Sequence, residues 1–421
     1  MKAESVVVGL DIGSARTTAV VAEASIVGER RPGVRVLGVG QARTTGLRRG
    51  MVADIEETTR AIRSAAEEAE RTSGVKIEGA YVGIASAHVD AMSSNGVVAV
   101  SGDEITRADV DRANAVARAQ ALPPDRELLH AIPQEYSVDK NSGIHDPVGM
   151  VGTRLETEVY LVSVGSSPAM NLRKAVERAG CKVRELVLEP LASALCVLSE
   201  EERDLGVALV DMGSASTDVA IFHEGKIRHL GTVAYGGGSV TSDIVHGLGV
   251  TQAEAERLKE RFGCAYEPLV DPAEVIELPG TATLAERHVP RELLSHIIHQ
   301  RTDEIFDLVQ RQIGRAGYSG KLSAGVVLTG GGAAVDGILE LASDVFASAV
   351  RVGAPSDTIG GLLEKVSTPR YATAVGLTLY GAHRAALGGA SGGGGARRPA
   401  RTGPGVDKIA QRVRNWLQDF F

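Results

Sequence analysis

The heptapeptide Asp11-Ile12-Gly13-Ser14-Ala15-Arg16-Thr17 recurs as Asp211-Met212-Gly213-Ser214-Ala215-Ser216-Thr217, an offset of 200 residues (211 − 11) with five of seven positions identical. Each copy closes an apolar run, Ser5–Leu10 and Gly206–Val210, and opens an alternating one, Thr17–Glu23 and Asp218–His223. That pattern predicts a buried strand, a tight turn and a partner strand. Val34–Gly40 and Lys226–Val233 add a third strand to each half. One Asp-x-Gly-Ser is an ordinary β-turn signal. Two in the same strand context predict two similar lobes facing a shared cleft.

The residue types suit a phosphate clamp. Gly13 and Gly213 let the backbone approach an anion closely. Ser14, Thr17, Ser214 and Thr217 are candidate hydroxyl donors, and Asp11 and Asp211, at the strand ends, are candidates to hold Mg²⁺ through its waters. Gly236-Gly237-Gly238 precedes a helix expected to begin near Thr241, a glycine nest at a helix N-terminus. Gly330-Gly331-Gly332 follows the strand Ala324–Thr329 and offers a small-residue floor for a base or ribose. Glu256 and Lys259 share one face of the helix Thr251–Phe262. They either reach an adenosine or form a solvent-facing ion pair. No G-x-x-x-x-G-K-[ST] P-loop occurs.

Between the repeats, Asp54–Ser73 reads as a helix and Ala80–Ala85 as a strand. Residues 86–162 change character, with a helix over Ile105–Ala119, a Pro133-containing segment Asp125–Tyr136, a polar loop Asp139–Arg154 and a strand Thr157–Val164. Expected boundaries are a first lobe, 1–85 plus 163–203, with an inserted α+β subdomain at 86–162. A second lobe, 204–239 plus 317–387, carries an insertion at 240–316, where Arg291–Ala316 is a further helix. A flexible Gly-, Pro- and Arg-rich linker follows at 388–405, then a helix at 406–421. A chain of 421 residues exceeds what one core organises.

A formal net charge of −8 argues against a general nucleic-acid binder. Cys181, Cys196 and Cys264 show no paired spacing, so neither a disulfide framework nor a zinc site is expected, and a reducing cytosol is. Met1–Ser5 runs straight into a strand, with no signal-peptide pattern.

Val406, Ile409, Val413, Trp416, Leu417 and Phe420 fall on one face of the terminal helix. From Arg397 to Phe421 six basic residues, Arg412 among them, face two acidic ones, so this tail is +4 and the remainder −12 (−8 − 4). A basic, Trp-bearing amphipathic helix behind a linker suits in-plane binding to anionic lipid.

The two hairpins, Glu189-Pro190 after a strand, Val327-Leu328-Thr329-Gly330-Gly331-Gly332 and Ala374-x-Gly376-Leu377 are similar to the nucleotide motif of the actin, Hsp70 and sugar-kinase superfamily. This resemblance implies an α/β fold of the actin/Hsp70 ATPase type: two duplicated lobes around a nucleotide cleft, each with an inserted subdomain. Within it, His130-x-Ile132-Pro133-Gln134-x-Tyr136, Gly143-Ile144-x-x-Pro147-x-Gly149-Met150 and Gly236-Gly237-Gly238-x-Val240-Thr241-x-Asp243-Ile244 resemble the FtsA family of bacterial division proteins. FtsA membership implies ATP and Mg²⁺ as ligands and polymerisation like actin on the cytoplasmic face of the cell membrane. Implied partners are the chain itself, the C-terminal tail of FtsZ on the 240–316 subdomain, anionic lipid and later division proteins, with no nucleic acid. The superfamily places a water-orienting group at Glu189; capping of the following helix is its other reading. Slow turnover, with nucleotide as a switch, is the expectation. A pilus-assembly actin-like protein and a sugar or acid kinase are the competing readings. The first lacks the terminal amphipathic helix, and the second has no need of it.

Overall fold

Both copies of the repeat fold into the same hairpin. In the computed structural model, which describes residues 6–27, 31–278, 286–355 and 359–391, Val6–Ile12 pairs antiparallel with Arg16–Val27, and Val207–Met212 with Thr217–His223. The registers coincide. Asp11 stands opposite Thr18 and Ile12 opposite Thr17, as Asp211 stands opposite Asp218 and Met212 opposite Thr217. On its other side each first strand has a parallel neighbour, Gly79–Ile84 in the first lobe and Val326–Thr329 in the second. Strands enclosed on both faces read as unbroken apolar runs; Val207, Ala208, Leu209 and Val210 are fully buried.

The first sheet runs in the order Lys182–Leu188, Gly79–Ile84, Val6–Ile12, Arg16–Val27, Arg31–Arg43 and Ile359–Gly361. The second runs Lys226–Val233, Thr217–His223, Val207–Met212, Val326–Thr329 and Val350–Val352. Ile359–Gly361 follows the last strand of the second sheet in sequence yet pairs with Val34–Val36 of the first, so one strand straps the lobes together. Open sheets with parallel strands bind ligands beyond the carboxyl ends of those strands. Here both turns sit at those ends.

Residues 89–165 contain a four-stranded antiparallel sheet, ordered Val89–Ala99, Arg154–Gly165, Arg126–Val138 and Asn141–Ile144. The helix Arg107–Arg118 begins at Thr106, whose side chain and that of Asp109 cap each other's backbone. Ile105, Val110, Ala113, Tyr136, Val138 and Leu155 form a separate small core. The Pro133 segment is a thirteen-residue strand. Proline is tolerated because its own strand bulges beside it: Glu158 faces Glu135 and Val159 faces Pro133, which leaves Gln134 as the extra residue.

In the second lobe the helix expected near Thr241 starts four residues earlier, as Gly237–Leu248, so the boundary expected at 240 falls inside it. With Gln252–Phe262 and Arg291–Arg315 it packs into the same core as the second sheet: Ile305, Phe306, Val309 and Ile313 join Ala208, Val210 and Val219. The helix Ala372–Ser391 continues past Gly388, where a linker was expected. Residues 392–405 and the predicted lipid-facing set Val406, Ile409, Arg412, Val413, Trp416, Leu417 and Phe420 lie outside the described residues. Among the described residues no helix is long and apolar enough to cross a membrane.

Candidate functional site

Between the two lobes lies a cavity lined by Gly13 and Ser14 of the first turn and Gly213 and Ser214 of the second. Gly237, Glu256, Lys259, Gly331 and Gly332 line it as well, as the sequence suggested, and so does Asp11. Thr17 and Thr217 do not. Both are fully buried, with their hydroxyls engaged beneath the turns: Thr17 Oγ1 lies 2.8 Å from Thr44 Oγ1, and Thr217 Oγ1 donates to the Tyr235 carbonyl at 2.9 Å. Successive strand residues point to opposite faces. Thr18, one position on and opposite Asp11, is the threonine that lines the cavity.

The glycine nest is also used differently from the expectation. Gly237 N–H donates to the Gly213 carbonyl at 2.9 Å and Gly238 N–H to the Ser214 carbonyl at 2.8 Å. The helix N-terminus therefore clamps the second turn instead of presenting those donors to an anion. Glycine is required at 236 by proximity, since its backbone is extended at φ −159°. A Cβ there would stand 2.4 Å from Gly213 O. Gly236→Ala is expected to push the turn off the helix, lowering stability by about 2 kcal/mol, read as a lower melting temperature with weakened ligand binding.

Gly330 holds φ +82°, and a Cβ on it would meet Asp211 Oδ1 at 2.4 Å. It lets the second-lobe strand end turn tightly past that carboxylate. The short turn Gly331–Ala334 that follows leaves Gly331 facing open space, as a floor for a flat group requires.

Glu256 and Lys259 form an ion pair at 2.9 Å that lines the cavity, the Lys259 side chain being only 11% exposed. Lys259 Nζ also donates to the Gly237 carbonyl at 3.0 Å and to Thr241 Oγ1 at 2.7 Å. Two of the three ammonium donors thus join the second helix of this lobe to the first, and the third goes to Glu256 on its own helix. Burial works to raise Glu256, but Lys259 and Thr241 outweigh it and hold the carboxyl below its ordinary range.

Four carboxylates bear on one another at the cavity floor and behind it. Burial first, then Asp211, pushes Asp11 up to about 7. Burial lifts Asp211, opposed by hydrogen bonds from Ser193 Oγ at 2.6 Å and Thr373 Oγ1 at 3.4 Å. Asp218 is pushed up to about 7 by burial, although Thr232 Oγ1 donates to it at 2.8 Å. Glu189, set behind the cavity, is raised well above its ordinary value by burial, then by Asp11, Asp218 and Asp211. No lysine or arginine among the described residues offsets them. Clustered carboxylates without a cation are an incomplete electrostatic arrangement, and a divalent ion is the chemistry that completes it. No group of three or more His, Cys, Asp or Glu among the described residues is arranged to hold a metal on its own. An ion here would therefore keep water or ligand oxygens in its shell, as Mg²⁺ does.

Several residues were missed by sequence reasoning. Asp218 stands where the first copy has Thr18, a difference legible once the alignment is extended by one residue. Ser193 and Thr373, which anchor Asp211, come from two helices 180 residues apart, and nothing in either segment announces them. Arg16 and Glu260 both line the cavity and meet across it at 3.4 Å, joining the lobes.

Fold and cleft together define an actin-like protein of the ATPase fold. Solved structures with this arrangement include a PilM–PilN type IV pilus biogenesis complex, at TM-score 0.62 and 17% identity, covering 89% of this chain and 98% of that one. They also include MreB5 of Spiroplasma citri bound to ADP, at TM-score 0.55 and 15% identity, covering 93% and 100%. The sequence narrows the class. A family model described as cell division protein FtsA matches residues 208–376, and one described as the SHS2 domain inserted in FtsA matches residues 86–163. Cell division protein FtsA of Pseudomonas aeruginosa is 40% identical over 375 residues, 89% of either chain. The chain belongs to the FtsA family of cell division proteins.

Proposed function

We propose that this chain binds ATP with Mg²⁺ in the interlobe cleft, polymerises on the inner face of the cell membrane, and tethers FtsZ filaments there. The observation that supports nucleotide binding most is the pairing of Ser14 and Ser214, from duplicated turns, on one cavity above uncompensated carboxylates. Ser14, Ser214 and the backbone at Gly13 and Gly213 would hold phosphate oxygens. Asp11 and Asp211 would hold Mg²⁺, which supplies the positive charge that both the carboxylates and a triphosphate need. Gly331 and Gly332 would floor the nucleoside, with Glu256 beside it. Glu189 would orient and deprotonate the attacking water; burial and the neighbouring carboxylates raise its affinity for a proton, the direction a general base needs. Turnover would be slow, with nucleotide acting as a switch for assembly.

The membrane step would rest on Val406, Ile409, Val413, Trp416, Leu417 and Phe420 as the apolar set, with Arg412 adding positive charge for anionic headgroups. The FtsZ C-terminal tail would dock on residues 240–316, and later division proteins would gather on the polymer. Co-sedimentation with anionic vesicles, with and without Mg-ATP, tests this by comparing the full chain with one ending at Gly405. The reading requires that only the full chain pellets with lipid, and more so with ATP. Trp416→Glu is expected to abolish pelleting at physiological salt, because a charge replaces the largest apolar anchor. Unchanged pelleting of that variant would instead give the helix a protein partner.

A further inference from the structure

We infer that His130 of the inserted subdomain is a positioning residue for Glu189, through which the pose of the insertion is felt at the nucleotide end of the first lobe. The inference rests on the nucleotide reading above.

Lys182–Leu188 is the outermost strand of the first sheet. Its inner edge pairs with Gly79–Ile84 as far as Leu188 opposite Ile84. At its other edge the insertion's strand Arg126–Val138 comes in, and His130 Nε2 accepts the Leu188 N–H at 3.1 Å. A side-chain nitrogen thus takes the place a further strand would occupy. Leu188 immediately precedes Glu189, the first residue of the helix Glu189–Val197, and no side chain caps that N-terminus. The Leu188 N–H is therefore the last fixed backbone donor before the candidate base. Glu189 itself lies close over Gly83, where a Cβ would come within 3.0 Å of its Cγ. The Glu189 side chain thus rests on the bare backbone of the neighbouring strand at Gly83.

The imidazole is built to stay an acceptor. It is 5% exposed and packs edge-on to Tyr380, centroids 6.5 Å apart. Tyr380 in turn donates to Glu185 of the same outer strand at 2.5 Å. Burial, then the charge of Arg384, holds His130 at about 3, so the ring is neutral and Nε2 keeps its lone pair. Ile132, two residues on, shares a core with Leu188 and Leu191. The insertion therefore grips the strand end with one polar and one apolar side chain from a single face of one strand.

The test uses the full chain as wild type, His130→Leu and His130→Gln. Glutamine places an acceptor oxygen near the Nε2 position; leucine fills the space without one. Fluorescent ATP-analogue affinity is measured with Mg²⁺, together with single-turnover hydrolysis and amide exchange of the segment 186–190 in Mg-ATP and Mg-ADP. His130→Leu should bind nucleotide within about twofold of wild type yet hydrolyse it on the order of tenfold to a hundredfold more slowly, as expected of a small misplacement of a reacting group. Its 186–190 amides should exchange faster and lose any difference between the two nucleotides, and His130→Gln should restore both properties. Nucleotide binding intact with hydrolysis and exchange of His130→Leu like wild type would overturn the inference alone. Failure of the wild type to bind the analogue would overturn the nucleotide reading and this inference with it.

Discussion

Asp11→Asn is expected to weaken Mg-ATP binding at least about 100-fold, by analogy with losses on altering groups that orient a bound metal, and at the same time to make the ligand-free chain more stable at pH 8. The second effect follows from linkage. The Asp11 carboxyl is pushed from its ordinary 3.8 to about 7 by burial and by Asp211, so the folded state holds a proton that the unfolded state releases. Stability associated with that proton is fully present below about 3.8 and is lost as pH rises through about 7. At 1.36 kcal/mol per pH unit the penalty at pH 8 is at most about 4 kcal/mol, and Asp211 shares it. Asparagine carries no charge at any pH, so the gain over wild type should be greatest at pH 8 and vanish toward pH 4. Melting curves at both pH values and a nucleotide titration read the two effects. Lower stability at pH 8 with binding unchanged would show that Asp11 is a structural carboxylate.

Gly376→Val is expected to cost about 3–5 kcal/mol, the upper range for a single core change. Gly376 lies on Ala372–Ser391, which crosses Glu189–Val197 between the lobes. A Cβ at 376 would stand 1.8 Å from the Ala192 carbonyl oxygen and 2.4 Å from its carbon. Those atoms are backbone and have no rotamer to escape into, so the helices must part. Parting them moves Ser193 and Thr373 away from Asp211, which both now hold. Urea denaturation measures the loss, and a change below about 1 kcal/mol would mean that the helices slide past one another freely.

The duplicated turns were legible because each is contiguous and brings its strand context along. The error at Thr17 and Thr217 was avoidable on the same evidence. Once Asp11 is set facing the cleft, strand parity sends the residue opposite it, Thr18, to that face and Thr17 to the core. The glycine nest was a different failure. Its donors are spent on carbonyls of Gly213 and Ser214, a contact made only when the turn and the helix meet in space. For Lys259 the sequence left two readings open, a reach toward an adenosine or a solvent-facing pair with Glu256, and tertiary packing leaves the pair on the cavity wall with Lys259 only 11% exposed. The fold alone would have left the pilus-type reading open, since a PilM–PilN complex shares it at TM-score 0.62. Forty per cent identity to an FtsA protein over 89% of the chain closes that question.

The central claim is that the cleft between the duplicated turns is a Mg-nucleotide site. Calorimetric titration of the full chain with ATP, with and without Mg²⁺, tests it most directly. The account predicts one site per chain whose affinity falls sharply without Mg²⁺ and again in Asp11→Asn. Absence of binding, or binding indifferent to both Mg²⁺ and Asp11, would contradict it.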